Sequence, residues 1–211
     1  MTATRPVTVA AAGVDLPGLV TIPADASGIV VFAHGSDSSR LSPRNQSVAA
    51  ALNRAGLATL LFDLLTGEEA AERSNVFDIA LLAARLSSAA TRLPSQVGAG
   101  LPLGLFGAST GAAAALVAAA GLGDRVSAVV SRGGRPDLAG EHLPQVTAPT
   151  LLIVGSRDEL VLELNERAVE QMIAPVHLAV VPGAGHLFSE PGALETVAAQ
   201  AVDWFCARLS G

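Results

Sequence analysis

Leu103-Gly104-Leu105-Phe106-Gly107-Ala108-Ser109-Thr110-Gly111, followed at once by Ala112-Ala113-Ala114-Ala115-Leu116, is the stretch whose reading decides the fold. An apolar run enters a Gly-x-Ser-x-Gly turn, and an alanine-rich helix starts directly behind it. The glycines have a steric reason: a turn tight enough to hold Ser109 above a sheet in a strained conformation leaves no room for Cβ atoms at 107 and 111. The helix beginning at Thr110 aims free N–H groups at the same spot, where negative charge on a substrate oxygen would be stabilised. Ser109 is therefore a candidate nucleophile. A Gly- and Ser-containing turn between a strand and a helix is also common in purely structural roles, so its partners decide.

A serine needs a neighbouring imidazole to take its proton, and the imidazole needs a carboxylate to hold its tautomer. Downstream, Leu151-Leu152-Ile153-Val154 runs into Gly155-Ser156-Arg157-Asp158-Glu159, and Leu178-Ala179-Val180-Val181 into Pro182-Gly183-Ala184-Gly185-His186. Taken singly, Asp158 reads as an N-cap for the helical segment from Leu160 and His186 as a loop histidine. Taken jointly, in the order serine, acid, histidine and at successive strand ends, Ser109, Asp158 and His186 read as a catalytic triad. Upstream, Ile29-Val30-Val31-Phe32-Ala33 ends at His34-Gly35-Ser36, which makes the Ser36 backbone N–H the second oxyanion donor beside that of Thr110. His34 reads as a structural residue that pins this loop by hydrogen bonds.

Outward from these motifs the chain alternates. Val7 to Ala11 and Leu19 to Ile22 read as an antiparallel pair around Gly13 and Pro17. Runs apolar at every position follow at 29–33, 58–62, 103–106, 128–130, 151–154 and 178–181, as strands buried on both faces require. Helical spacing marks Pro43 to Ala55, Val76 to Leu93, Thr110 to Gly121, Leu160 to Met172 and Gly192 to Leu209. In the second of these, Phe77, Ala80, Leu81, Ala84 and Leu86 form the expected buried face, with Asp78, Arg85 and Arg92 turned to water. The succession predicts an α/β fold, a mostly parallel sheet with helices on both sides and ligands at the strands' carboxyl ends.

Composition sets the limits. Half of the 211 residues are hydrophobic and 15% charged, so one ordered domain over 1–211 is expected. A net charge of -6, no Tyr and one Trp leave neither a phosphate-binding surplus nor a stacking platform, which argues against nucleic acid. The lone Cys206 has no partner for an internal disulfide and suits a reducing, cytoplasmic compartment. The uncharged stretch from Leu93 to Gly123 is broken by Pro94 and Pro102 and by Gly98, Gly100, Gly104, Gly107 and Gly111, and is not read as a membrane span. The N-terminus, with Pro6 and Asp15, lacks a signal-peptide pattern. Gly98-Ala99-Gly100 lacks the third glycine of a dinucleotide fingerprint, and His142 and His177 have no metal-ligand spacing, so no cofactor or metal is expected. Arg132 follows a buried strand and reads either as a substrate-carboxylate ligand or as a salt-bridge partner of Asp137, Asp158 or Asp63. Arg40 and Arg44 read as part of a loop capping the helix after Pro43, and Glu68, Glu69 and Glu72 as a solvated face.

The chain resembles the dienelactone hydrolase-like branch of the α/β-hydrolases, single-domain esterases without a lid, through Val31-Phe32-Ala33-His34-Gly35-Ser36, Gly107 to Gly111, Val154 to Asp158 and Pro182 to His186. The likeness extends from about Val7 to Leu209. It implies an α/β-hydrolase fold with Ser109, Asp158 and His186 as nucleophile, acid and base, and a small ester as the substrate. One departure stands out: dienelactone hydrolases proper carry a cysteine nucleophile where this chain carries Ser109. A non-catalytic binding module on the same fold and another triad reaction are the alternatives, since fold does not fix substrate.

Overall fold

The computed structural model describes residues 3–93 and 100–209; Pro94, Gly98 and Ala99, used in the sequence reading, lie outside them. Eight strands form one sheet: β1 Thr4–Ala11, β2 Val14–Thr21, β3 Gly28–Ala33, β4 Leu57–Phe62, β5 Leu103–Ala108, β6 Val126–Arg132, β7 Thr150–Gly155 and β8 Val176–Val181. Their spatial order is β1-β2-β4-β3-β5-β6-β7-β8. The β1–β2 and β2–β4 pairs are antiparallel and every other pair is parallel. The chain winds from β3 outward to β4 and then returns to the far side of β3 with β5. That reversal leaves a crevice above the carboxyl ends of β3 and β5, the place where open α/β sheets take their ligands.

The helices are α1 Pro43–Arg54, α2 Gly67–Ala71, α3 Arg73–Val76, α4 Ile79–Arg92, α5 Thr110–Leu122, α6 Glu159–Gln171 and α7 Ala193–Leu209. Side chains of β3 alternate between two cores, as a strand covered on both faces requires. Ile29, Val31 and Ala33 pack with α4 and α5, while Val30 and Phe32 pack with α1 and α7. Ser42 caps α1 by accepting from the Asn45 N–H, and Pro43 fills the first position, where no N–H is needed. Among the described residues no helix is long and apolar enough to cross a membrane.

Five expectations are corrected. Pro17 lies inside β2, not in the turn, which falls at Ala12 and Gly13 with φ of 43° and 88°. Pro17 sits at the end of the β2–β4 ladder, whose paired residues begin at Gly18, and its carbonyl still accepts from the Asp63 N–H at 3.0 Å. β8 is only partly buried, with Val180 42% exposed, because it is the edge strand. Arg85 is buried at 4% exposure: its Nη1 donates to the carbonyls of Ala11 and Ala12 at 2.6 and 2.9 Å, and its Nη2 to Glu69 Oε1 at 2.7 Å. Glu69 is thereby more than solvated surface, since it also closes a capping box with Thr66 at the start of α2. The buried face of α4 is Leu82, Ala83, Leu86, Ala89 and Ala90, and Phe77 is 46% exposed.

Candidate active site

Ser109 sits between β5 and α5 with φ of 53° and ψ of −123°, a region that non-glycine residues avoid. What holds it there is close packing on both sides. A Cβ at Gly107 would lie 2.4 Å from Ala112 Cα, and one at Gly111 would lie 2.3 Å from the Ala33 carbonyl oxygen. The Ser109 N–H is anchored to the Arg132 carbonyl at 3.2 Å. Its hydroxyl makes no capping hydrogen bond to α5.

Asp158 does occupy the N-cap position of α6, where its carbonyl accepts from the Leu162 N–H at 2.8 Å. Its side chain, however, makes no capping bond. Asp158 Oδ2 instead accepts from His186 Nδ1 at 2.6 Å. With Nδ1 bound to a carboxylate, the His186 ring presents Nε2 as the nitrogen free to take a proton. The two loops carrying these residues are laced together: Arg157 N–H donates to the Ala184 carbonyl at 2.9 Å, and Gly183 N–H to Ser156 Oγ at 2.8 Å. Glu190 adds a clasp, accepting from the Gly185 N–H at 3.2 Å and from Arg157 Nη2 at 2.9 Å. Hydrogen bonds from its own and the Gly185 backbone N–H, aided by Arg157, hold the Glu190 carboxyl below the usual range. Sequence reading missed Glu190; only the fold brings it to the acid loop. Gly133, with φ of 51°, lies against the His186 loop, where a Cβ would come within 3.2 Å of the His186 carbonyl oxygen. Among the described residues, Asp158 and His186 are joined by this hydrogen bond, and none is formed between Ser109 and His186.

The loop after β3 lies against the elbow, and a Cβ at Gly35 would come within 3.0 Å of Ser109 Cβ. His34 fixes that loop. Its Nδ1 can only donate to the Gly35 carbonyl at 2.9 Å, so its Nε2 accepts from the Leu64 N–H at 3.1 Å. This bonding demands a neutral ring, and burial pushes the His34 pKa below 6.5 accordingly. The Ser36 N–H, expected to face an oxyanion, donates to Thr110 Oγ1 at 2.9 Å. Thr110 lies in the first turn of α5, whose N–H groups lack intrahelical partners. Beside this loop opens a cavity of about 250 Å³ with apolar walls from Leu64, Leu65, Val76 and Leu82; Ser109 and His186 are not among its lining residues.

Arg132 pairs with none of the three aspartates considered for it. Asp137 is held by Arg135 at 2.9 and 2.8 Å, Asp63 by Arg40, and Asp158 by His186. Burial, together with the nearby Arg44, brings the Arg132 pKa down to about 10.

A sheet of this order with a strained serine above β5 and an acid–imidazole pair beyond β7 and β8 defines an α/β-hydrolase. The family described as an alpha/beta hydrolase domain matches residues 26–210, and the chain belongs to it, in its dienelactone hydrolase-like branch. The crystal structure of a dienelactone hydrolase from Anabaena variabilis is 53% identical, with a TM-score of 0.94 over 99% of each chain. Est1E from Butyrivibrio proteoclasticus shares the fold at 17% identity, with a TM-score of 0.81 over 98% of this chain and 99% of its own. Proteins from two strains of Mycobacterium tuberculosis, provisionally named phosphoribosyl transferases, are 60% identical over 206 residues, which is 97% of this chain and 46% of theirs. The chain thus spans about half the length of the curated relatives it matches.

Proposed function

We propose that this chain is a cofactor-free serine hydrolase acting on small carboxylic esters, lactones included. The observations that carry the reading are the 2.6 Å Asp158–His186 hydrogen bond and, after β5, a serine held in a strained elbow. Ser109 Oγ attacks the acyl carbon and passes its proton to His186 Nε2, while the Thr110 and Ser36 N–H groups stabilise the oxyanion. The leaving alcohol takes that proton. Water then attacks the acyl-enzyme through the same base, and the collapse returns the proton to Ser109 Oγ. For Ser36 to take part, its N–H must exchange Thr110 Oγ1 for the substrate oxygen. Arg132 is the candidate group for an anionic part of the substrate. The one cysteine fits a cytoplasmic setting. The name of the Mycobacterium tuberculosis proteins is not carried over, because it describes chains about twice this length.

Labelling with a fluorophosphonate tests the reading. Attachment at Ser109, abolished in Ser109→Ala together with a loss of about 10⁴-fold or more in kcat on p-nitrophenyl esters, is expected. A folded protein that is inert to the label and to an ester panel would instead be a binding module.

A further inference from the structure

No step of the reaction uses the cavity of about 250 Å³ beside the loop after β3. One wall is that loop itself, from His34 to Ser39; the other is the chain after β4, with Leu64 and Leu65, then Val76 of α3 and Leu82 of α4. Leu64, Leu65 and Leu82 are buried whereas Asp37, Gly67 and Ala70 are exposed, so the hollow runs from an open rim to a leucine-lined end. Its outer wall is pinned. Glu69 closes the capping box with Thr66, its carbonyl accepts from Asn75 Nδ2 at 3.0 Å, and Arg85 Nη2 holds its Oε1 at 2.7 Å. Protein interiors leave few voids larger than a water, and an unfilled apolar hollow forfeits contacts along its lining. A hollow kept open against a pinned frame calls for an occupant.

We infer that this cavity is the acyl pocket and takes an uncharged, apolar acyl chain, an assignment that rests on the hydrolase reading. The cavity adjoins the nucleophile: Gly35 and Ser36 line it, and a Cβ on Gly35 would lie 3.0 Å from Ser109 Cβ. Direction follows from the four groups on the attacked carbon. Ser109 Oγ is one, and the oxyanion, turned to the Thr110 and Ser36 N–H groups, is the second. The alcohol oxygen must face His186 to receive its proton, and His186 follows β8, on the flank of β5 opposite to β3 and β4. The acyl chain is left with the β3–β4 flank, where the cavity lies. Its chemistry follows from the lining, which holds no Lys or Arg and a His34 ring whose hydrogen bonds demand the neutral form. Asp63 is already bound by Arg40, and Asp37 adds a carboxylate at the rim. A carboxylate on the acyl chain would therefore meet leucines or a like charge, and neither compensates its lost hydration. An anionic group on the alcohol part stays clear of this pocket.

The test varies the two halves of the ester separately, on the whole chain. Across p-nitrophenyl esters, kcat/KM should rise about three- to fourfold for each methylene added to acetate until the cavity is full, the worth of burying a methylene. The p-nitrophenyl monoester of adipate should fall about tenfold or more below the hexanoate of equal length. Val76→Phe fills part of the hollow and should lower the hexanoate-to-acetate ratio of kcat/KM about tenfold, whereas Val76→Ala should move the best chain length upward. Should Val76→Phe fail to fold, Ala70→Leu narrows the exposed rim and should lower the same ratio. In the same variants the ratio across acetates of ethanol to hexanol, followed by acid release, should stay within about twofold of the parent's. Esters turned over with an acyl ratio that none of these variants moves, or adipate turned over as well as hexanoate, overturns the proposal and leaves the hydrolase reading standing. A shift in the alcohol series in place of the acyl series overturns it as well and gives the cavity to the leaving group. A folded parent that turns over no ester rejects both.

Discussion

The Thr110 hydroxyl accepts the Ser36 backbone N–H, which is the proposed second oxyanion donor. Its resting role is to keep the loop after β3 at hydrogen-bonding distance from the first turn of α5, so that Ser36 arrives at the site with its N–H already oriented. Thr110→Val should lower kcat by about tenfold with little change in KM, and Thr110→Ser should restore most of the loss. The expected drop is smaller than the roughly 10²–10³ for deleting an oxyanion donor, because the donor remains and only its placement loosens. Steady-state kinetics on a p-nitrophenyl ester reads both. A kcat equal to the parent in Thr110→Val would leave the hydroxyl as packing alone.

Among the elements, the loop held by His34 gives a pH signature. A histidine whose folded pKa is lowered binds fewer protons folded than unfolded, so its contribution is complete above the ordinary value of 6.5 and is lost as pH falls from there toward the folded value. Melting temperature should therefore fall on acidification from about pH 7.5 to about 5, and His34→Gln, which cannot titrate, should show a shallower fall from a lower start. A parallel pH profile in the variant would reject the assignment. The elbow, the acid loop and the base loop were legible because each leaves a mark within ten residues of itself: an apolar run ending in glycine and a polar residue. Arg85 left none, since its acceptors Ala11 and Ala12 lie 74 and 73 residues away. The α4 face was read out of phase because Phe77 precedes the Asp78 cap and is not on the helix at all. Apolar content marked β8 as a strand without distinguishing an edge from the interior, since that depends on which strand pairs last.

At the scale of the molecule, Arg85 fastens the antiparallel edge to the body by bonding the β1–β2 turn, α4 and the start of α2 at once. Arg85→Met should cost about 2–3 kcal/mol, below the usual 3–5 for breaking a buried pair because Glu69 keeps 25% of its side chain in water. That corresponds to a fall of roughly 5–10 °C in Tm by calorimetry, with kcat unchanged well below the transition. A shift under about 2 °C would show the tie to be dispensable.

The proposed catalytic groups are also divided unequally across the sheet. Ser109 and the proposed oxyanion donors stand over the central strands, whereas His186 follows β8, the edge strand, which pairs with β7. Amides of an edge strand open more readily than those of the interior, and opening of β8 alone carries off the proton acceptor while the serine stays in place. Warming should therefore silence the enzyme reversibly before it melts: turnover declines over a range in which circular dichroism still reports the full fold, and hydrogen exchange at Val176–Val181 outpaces that at Gly28–Ala33 and Leu103–Ala108. Coincident loss of turnover and of the circular dichroism signal would show the edge to be as firm as the centre.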